Sequence, residues 1–360
     1  MNNLLHAIHT ALENIPNATD PAAPFRHLFL KHLGWSAPGP APSVPIRAPA
    51  PLNATLHLAP VAQLGGLPVF HLPWPEATLP TLTARRAVHR ALAPNFIEHL
   101  LCYTSADRRQ IAFTWARRRP DGKIELRTLP YEVGSPARTT VERLALLSFS
   151  LQELDRYPDA TPPSTAVIDK LDTAFSVEAV THEFFEDYKK VFADLQSRLT
   201  QATRDKAWAH DYALQLLNRL MFLYFIQRKR WISNNPRFLA DFWQAYKASG
   251  QPKDSFFENW LSVLFFEAFN KKFHGGHRHF PQNIFSALMA APYLNGGLFT
   301  QNKLDDAYNP KLSDDFFAIL FDNFDGTTPG FFERYNFTIA ESTPLDIEVA
   351  VDPEMIGKVY

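Results

Sequence analysis

The feature that most constrains the fold is a change of hydrophobic period near residue 138. Several short segments before that point alternate apolar with polar side chains, as half-buried strands do. Turn-forming sequences such as Asp107–Arg109 and Arg119–Gly122 separate them, and Thr83–Ala93 has helical spacing. From about Thr139 onward the apolar residues follow the helical period instead. The predicted strands are residues 55–58, 67–72, 98–104, 110–115 and 123–129.

This pattern predicts an α/β fold followed by a mostly α-helical region. The α/β part is expected to be a small mixed, mainly antiparallel sheet with one crossing helix. A chain of 360 residues has room for two or three domains. Prolines in the segment 37–42 cannot donate ladder hydrogen bonds, which favours a linker there. The predicted organisation is N-terminal helices over 1–35, a Pro/Ala-rich linker over 36–51, a small α/β domain over 52–138, a helical connector over 139–334 and a lead-in to a further domain over 335–360.

Composition places the chain among globular proteins of the cytoplasm. Hydrophobic residues make up 46% and charged residues 20%, and the N-terminus lacks the pattern of a signal peptide. The longest apolar run, Leu220–Ile226, is far shorter than the ~20 residues that cross a bilayer. Cys102 is the only cysteine, which excludes a disulfide framework. We therefore predict a cytoplasmic protein with no membrane partner.

The charges are unevenly distributed along the chain. Residues 85–127 contain ten Lys or Arg against four Asp or Glu, whereas residues 301–360 contain four against twelve. Arginines beside Tyr103 and Trp115 would suit a DNA phosphate backbone with some base stacking. Ordinary solvated charges at hairpin turns are the alternative. Other basic positions of this block are Arg85, Arg86 and Arg90. The predicted DNA-binding residues are Arg108, Arg109, Arg117, Arg118 and Arg119.

A magnesium-dependent nuclease of the PD-(D/E)xK kind requires an Asp and then Glu-x-Lys on adjacent strands, because these groups hold the ion and orient water. Here Glu125 and Arg127 supply only Glu-x-Arg, and Glu76 and Asp107 fall in predicted loops. A nuclease-like domain would therefore be degenerate. An active Mg²⁺-dependent endonuclease that uses Glu125 remains an alternative hypothesis.

Two other groups of residues invite a ligand but do not fit one. The histidines at 274, 277 and 279 lack an accompanying Cys or well-placed carboxylate, so a zinc site is not predicted. The glycine pairs at 275–276 and 296–297 match neither the P-loop nor the dinucleotide-binding spacing, and turns are the expected role. The sequence therefore predicts no metal and no cofactor bound by this chain.

Four segments resemble, in the same order, the region that precedes the catalytic domain of type IIG-like restriction-modification enzymes, which are large N6-adenine DNA methyltransferases. The resemblance covers residues 165–360 well and the β-rich block loosely. It is the ordered set, more than any one motif, that carries it. The segments are Phe184–Phe192, Leu217–Ile226, Tyr293–Phe299, and Tyr335–Ser342 together with Asp352–Val359.

The resemblance implies that the helical region connects a nuclease or nuclease-like domain to a methyltransferase domain. That domain would bring an F-x-G-x-G-type loop for S-adenosylmethionine and an N-P-P-Y motif for a flipped adenine. Neither occurs here, since Ser233–Arg237 lacks the second proline and the aromatic residue. No catalytic or cofactor-binding residue is therefore carried over to this chain.

The last residues predict a helix that begins but does not end. Asp352 is a suitable N-cap, Pro353 suits the first helical position, and no C-cap follows before Tyr360. We therefore expect an N-terminal part of such a methyltransferase, with DNA and the missing C-terminal methyltransferase domain as partners. A non-catalytic DNA-binding or interaction module is the further alternative.

Overall fold

The computed structural model describes residues 2–119, 121–134, 138–274, 276–294, 297–322, 329–337, 346–348 and 350–351. The chain forms two compact units. The first comprises Met1–Val180 with Ala340–Ala350, and the second comprises Thr181–Ile339 with Val351–Tyr360. Among the described residues, no helix combines the length and the apolar character that crossing a bilayer requires.

The first unit is built on a mixed sheet in which, among the described residues, seven strands lie side by side in chain order. Neighbouring strands are antiparallel except for the third with the fourth and the sixth with the seventh, which are parallel. This confirms the predicted mainly antiparallel sheet. The strands are β1 (Val44–Ala48), β2 (Ala54–Leu64), β3 (Leu67–Pro73), β4 (His99–Thr104), β5 (Gln110–Arg118), β6 (Ile124–Glu132) and β7 (Asp346–Glu348).

Helices cover both faces of this sheet. Because β3 and β4 are parallel, the chain must cross over between them, and the predicted crossing helix makes this connection as α3. On one face, Val88 and Leu92 of α3 pack in a core with Leu101 and Tyr103 of β4. On the other face, Phe25 stacks on His71 of β3. The helices are α1 (Asn2–Glu13), α2 (Ala23–His27), α3 (Leu82–Leu92), α4 (Arg138–Ala145), α5 (Leu151–Leu154) and α6 (Ser164–Ala174).

Two sequence-based expectations differ from the structure here. The Pro/Ala-rich segment 36–51, predicted as a linker, contains β1, whose Val44–Ala48 pairs antiparallel with β2. Strand β1 contains one proline, Pro45. Because β1 is an edge strand, the sheet tolerates the backbone N–H that proline lacks. The sequence predicts a separate helical domain from residue 139. In the structure, residues 139–180 belong to the first compact unit.

The second unit is helical, and most of α7 (Val177–Thr203) belongs to it. The helices are α7 (Val177–Thr203), α8 (Lys206–Arg228), α9 (Phe238–Ala248), α10 (Gln282–Met289), α11 (Lys303–Ala307), α12 (Asp314–Phe321) and α13 (Phe331–Arg334). Short π and 3₁₀ turns lie between α9 and α10, at Phe257–Leu261, Val263–Glu267 and Ala268–Asn270.

The central helix α8 is buried on most of its sides, as its apolar sequence predicts. Arg219 within it is fully buried and finds internal partners. Its guanidinium donates to both carboxylate oxygens of Asp305, at 2.6 and 2.9 Å, and its Nε donates to the carbonyl of Leu298 at 2.6 Å. The motif of α8 and the loop that follows Gly297 are thus joined by one buried arginine.

The first and last of the resembling segments meet in an aromatic cluster of the same unit. Phe184 of α7 stacks on Phe331 at 5.3 Å and meets Tyr335 edge-on at 5.2 Å between ring centroids. Asp187, one turn along, accepts hydrogen bonds from Arg334 and Tyr335 at 2.7 and 2.8 Å. Phe184 and Tyr335, which come from two of these segments, are buried in the core of the second unit. The predicted helix start at residues 352–354 lies outside the described residues.

Candidate nucleic-acid interface

The candidate interface lies on the α3 face of the sheet, where β5 ends and β6 begins. Ala116 pairs with Leu126, and Arg118 pairs with Ile124. Because side chains alternate along a strand, Arg118 shares the face of Ala112, which packs in the α3 core. Arg118 is exposed. The end of this hairpin therefore presents a cation beside α3.

Helix α3 contributes further cations to the same place. Its N-terminus is fixed by the Thr81 hydroxyl, which accepts a hydrogen bond from the Ala84 amide at 3.3 Å. Arg86 and Arg90 are four residues apart, so they lie on one side of the helix. Arg90 is exposed and Arg86 is half-buried. A cavity of about 250 Å³ lies between α3 and β6 and is lined by Arg86, His89, Arg90, Lys123, Ile124 and Leu126.

A buried histidine pair forms the inner side of this cavity. His89 Nδ1 lies 2.6 Å from His99 Nε2, and His99 Nδ1 lies 3.0 Å from the carbonyl oxygen of Phe96. The two rings stack at 4.8 Å between centroids. Burial lowers the pKa of His99 to about 4, and burial together with His99 and Arg85 holds the pKa of His89 well below its ordinary value. Both imidazoles are therefore neutral at physiological pH.

Buried neutral histidines make the first unit sensitive to acid. Burial also lowers the pKa of His71 to about 4, from an ordinary 6.5. Between those values the unfolded chain binds more protons, so the stability present above pH 6.5 is lost as pH falls toward 4. We expect the free energy of unfolding to drop by about 1.4 kcal/mol per pH unit for each such histidine. Urea unfolding from pH 7 to pH 5 measures this slope.

The variant His71→Gln should reduce that slope by about one histidine's share. His57→Gln is the matched control, because His57 is exposed. An unchanged slope in His71→Gln, or the same reduction in both variants, would contradict the assignment.

The five arginines predicted to bind DNA do not form one surface. Arg108 precedes β5 and donates to the carbonyl of Ala18 at 2.6 Å, and Arg109 beside it is exposed. At the other end of β5, Arg117 pairs with Asp172 at 3.0 Å, and Arg119 lies 3.8 Å from a carboxylate oxygen of Glu125. Of this set, Arg118 is the member that shares the candidate interface with α3.

The acids of the endonuclease hypothesis are not brought together. Glu125 is buried and accepts a 2.5 Å hydrogen bond from Arg127, so its charge is already matched inside the fold. Asp107 precedes β5, whereas Glu125 pairs with Arg117 near its far end, seven strand residues or roughly 23 Å away. Glu76 is exposed, and its carbonyl accepts the Ala106 amide near Asp107. These positions do not converge on one ion.

The histidines at 277 and 279 have protein partners. His277 lies 2.8 Å from Glu267, and His279 lies 3.1 Å from the carbonyl of Asn259. Across the described ranges, no group of three or more Asp, Glu, His or Cys side chains is placed to hold a metal ion.

A larger cavity, of about 470 Å³, lies in the second unit. Two of its polar side chains are already engaged in the fold. Asp305 holds Arg219, and the Tyr308 hydroxyl donates to Asp205 at 3.2 Å. The cavity of the first unit combines cations with a buried histidine, which makes it the stronger candidate for an anionic ligand.

The sequence indicates some residues of this interface but does not predict that they lie together. Arg86 and Arg90 stood out as basic positions, and their spacing on one helix side was readable. The alternation in residues 123–129 predicts a strand that begins at Lys123, and no local pattern marks His89 or His99 as binding residues. Their proximity depends on how α3 lies across the sheet, which no local pattern encodes.

Comparison with known proteins gives one informative similarity. Over 208 residues the chain is 29% identical to a protein of Methanocaldococcus jannaschii named as a type II restriction enzyme and methyltransferase. The match covers 51% of this chain but only 16% of the relative. No family model matches the chain, and no solved structure matches it. The similarity supports a relationship to restriction-modification enzymes.

Proposed function

We propose that the first unit binds the phosphate backbone of DNA as part of a restriction-modification enzyme. The observation that carries this proposal is the convergence of Arg86, Arg90, Arg118 and Lys123 on one face of the sheet. Opposite-charge contacts to phosphates are the main source of sequence-independent affinity for DNA. The relative named as a restriction enzyme and methyltransferase supplies the biological context.

The arrangement favours positioning over sequence reading. Arginine and lysine contacts to phosphates fix how a protein lies on the duplex, but they carry no base information by themselves. The face is formed by one short helix and the end of one hairpin. The role proposed for this chain is therefore to hold DNA while another part of the enzyme reads the bases.

The parent enzyme is proposed to transfer a methyl group from S-adenosylmethionine to adenine N6 in host defence. The support is the ordered resemblance of the helical segments, two of which place Phe184 and Tyr335 in the core of the second unit. The match spans 16% of the relative, so methylation and the partner domain belong to the proposal. Such an enzyme would act on genomic DNA in the cytoplasm.

The coding sequence after the Tyr360 codon tests the methylation part. An F-x-G-x-G-type loop followed by N-P-P-Y, in frame or one shift away, is expected there. Unrelated sequence would remove the main support for methylation while leaving DNA binding to be tested directly.

DNA binding is tested by removing three of the cations. The triple variant Arg90→Ala, Arg118→Ala, Lys123→Ala should bind a short duplex more weakly and with a shallower salt dependence. Each lost phosphate contact lowers the slope of log K against log salt by about 0.9, so the loss approaches 2.7. Fluorescence anisotropy with a labelled duplex at several salt concentrations measures both quantities.

The matched control removes the same charge from other parts of the first unit. Lys31, Arg47 and Arg156 are all exposed, and Arg47 lies on β1, across the sheet from β6. Their triple alanine variant should keep the wild-type salt slope. Equal losses in the two triple variants would show that net charge, and not this face, governs binding.

A further inference from the structure

The inner side of the cationic cavity carries a buried hydrogen-bonding atom with no partner. His89 is 1% exposed, and its Nε2 makes no hydrogen bond in the part of the chain that the structure describes. A buried polar atom without a hydrogen bond is destabilising, because it has lost its contact with water and gained no partner in exchange. His89 lines the cavity directly.

The hydrogen bonds of the pair define what this atom can do. The Phe96 carbonyl only accepts, so His99 Nδ1 must carry a proton. A neutral His99 then accepts at Nε2, and His89 must donate to it from Nδ1. His89 Nε2 is therefore left as a lone-pair acceptor. The cavity offers cations at its edge and a proton acceptor at its base.

These features select an anion that also carries a proton. Arg86, Arg90 and Lys123 supply positive charge at the opening, and the aliphatic side chains of Ile124 and Leu126 form part of the wall. The cavity, at about 250 Å³, has room for a phosphate group, since a water molecule takes only about 30 Å³. A fully deprotonated anion would leave His89 Nε2 unsatisfied, whereas an acidic P–O–H would donate to it.

We propose that this cavity binds a phosphate monoester, with a P–O–H group donating to His89 Nε2 and the remaining oxygens facing Arg86, Arg90 and Lys123. A monoester keeps one proton up to about pH 6, whereas a backbone diester keeps none. The cavity therefore distinguishes a 5′-phosphate end from the DNA backbone. This inference rests on the proposed DNA-binding function and assigns the kind of phosphate that the site prefers.

Several charged or titratable side chains face His89 from the elements around it. On its own helix these are Arg85, Arg86 and Arg90, and Lys123 faces it from the hairpin. From β4 they are His99 and Tyr103; burial keeps the pKa of His99 low and raises that of Tyr103. The ligand's own proton then sets the pH dependence. Affinity for the monoester should strengthen as pH falls from 8 to 6.

The experiment compares one duplex with 5′-phosphate or 5′-hydroxyl ends. By fluorescence anisotropy, the phosphorylated duplex should bind about tenfold more tightly at pH 6, and the preference should approach unity at pH 8. Simple charge attraction predicts the opposite trend, because the phosphate gains charge as pH rises. A preference that grows with pH overturns the proposal.

Variants connect the preference to the cavity. Lys123→Ala changes an exposed side chain, so it keeps the fold and should lower the preference. His89→Gln should abolish the pH dependence. Arg47→Ala, on the opposite edge strand, is the matched control and should change neither. An unchanged preference in Lys123→Ala and an unchanged pH trend in His89→Gln would overturn the assignment.

A further experiment distinguishes a free nucleotide from a DNA end as the source of the phosphate monoester. Titration with a deoxynucleoside 5′-monophosphate followed by calorimetry should give binding of its own if a free nucleotide is the ligand; a preference seen only on duplexes identifies a DNA end. Equal affinity for both duplexes, with normal salt dependence, overturns this inference and leaves the proposed function intact. Binding of the monoester without binding of either duplex would support this inference and overturn the proposed DNA-binding function.

Discussion

Asp305→Ala is expected to destabilise the second unit by about 3–5 kcal/mol, because it leaves the Arg219 charge buried without its counter-charge. Arg219 is 0% and Asp305 4% exposed in their side chains. The carboxylate accepts two hydrogen bonds from the guanidinium, one from Gln215 at 3.1 Å and one from the Asn302 amide at 3.0 Å. Urea unfolding followed by tryptophan fluorescence measures the loss.

Asp306→Ala is the matched control for this prediction. Asp306 is the next residue and is exposed, and it accepts one hydrogen bond from Gln301 at 2.8 Å. Surface changes of this kind usually alter stability by about 0.5 kcal/mol or less. A similar small loss in Asp305→Ala would mean that Arg219 finds other compensation, and the described network would not be a main support of the unit.

Urea unfolding of a double variant distinguishes the cost of an unpaired charge from the cost of lost packing. The paired change Arg219→Met with Asp305→Leu removes both charges while keeping similar volume. Replacing a buried ion pair by apolar residues is often neutral in stability, whereas breaking it is not. The double variant should therefore be more stable than Asp305→Ala alone.

Gly34→Ala is expected to destabilise the first unit by at least about 3 kcal/mol. Gly34 has φ of +74°, where an alanine is strained, and a Cβ there would lie 2.2 Å from the Phe149 carbonyl oxygen. That oxygen belongs to backbone already fixed, since the Phe149 amide donates to Leu33 at 2.8 Å. Trp35 also donates to the Leu147 carbonyl at 3.0 Å, so the two segments cannot separate easily.

Gly122→Ala isolates the conformational part of that cost. Gly122 has φ of +79°, but a Cβ there would meet nothing within 4 Å. The Gly122→Ala variant should therefore lose only about 1–2 kcal/mol of stability, which is the cost of placing an alanine in the left-handed region. Thermal unfolding of both variants gives the comparison. Equal losses would show that the Phe149 contact relaxes at little cost.

The motifs that carry the family resemblance act mainly in packing. Arg219 joins α8 to the loop at Leu298, and Phe184 joins α7 to Phe331. These contacts stabilise the second unit and provide no reacting group.

Sequence alone determined the elements whose pattern is local. Alternation in 110–115 and 123–129 predicted two antiparallel strands, and helical spacing in 83–93 predicted the crossing helix. Periodicity reports which side chains must leave water, and that requirement acts within a few residues.

Tertiary structure decided what depends on pairing between distant segments. Strand β1 forms within a proline-rich segment because β2 offers it an edge. Arg90, Arg118 and Lys123 share one face because the β5–β6 register and the position of α3 bring them there. Arg108 and Arg117 were separated by the length of one strand. Register and helix placement arise from the packing of the whole core, and so a candidate binding face emerges only when the chain is folded.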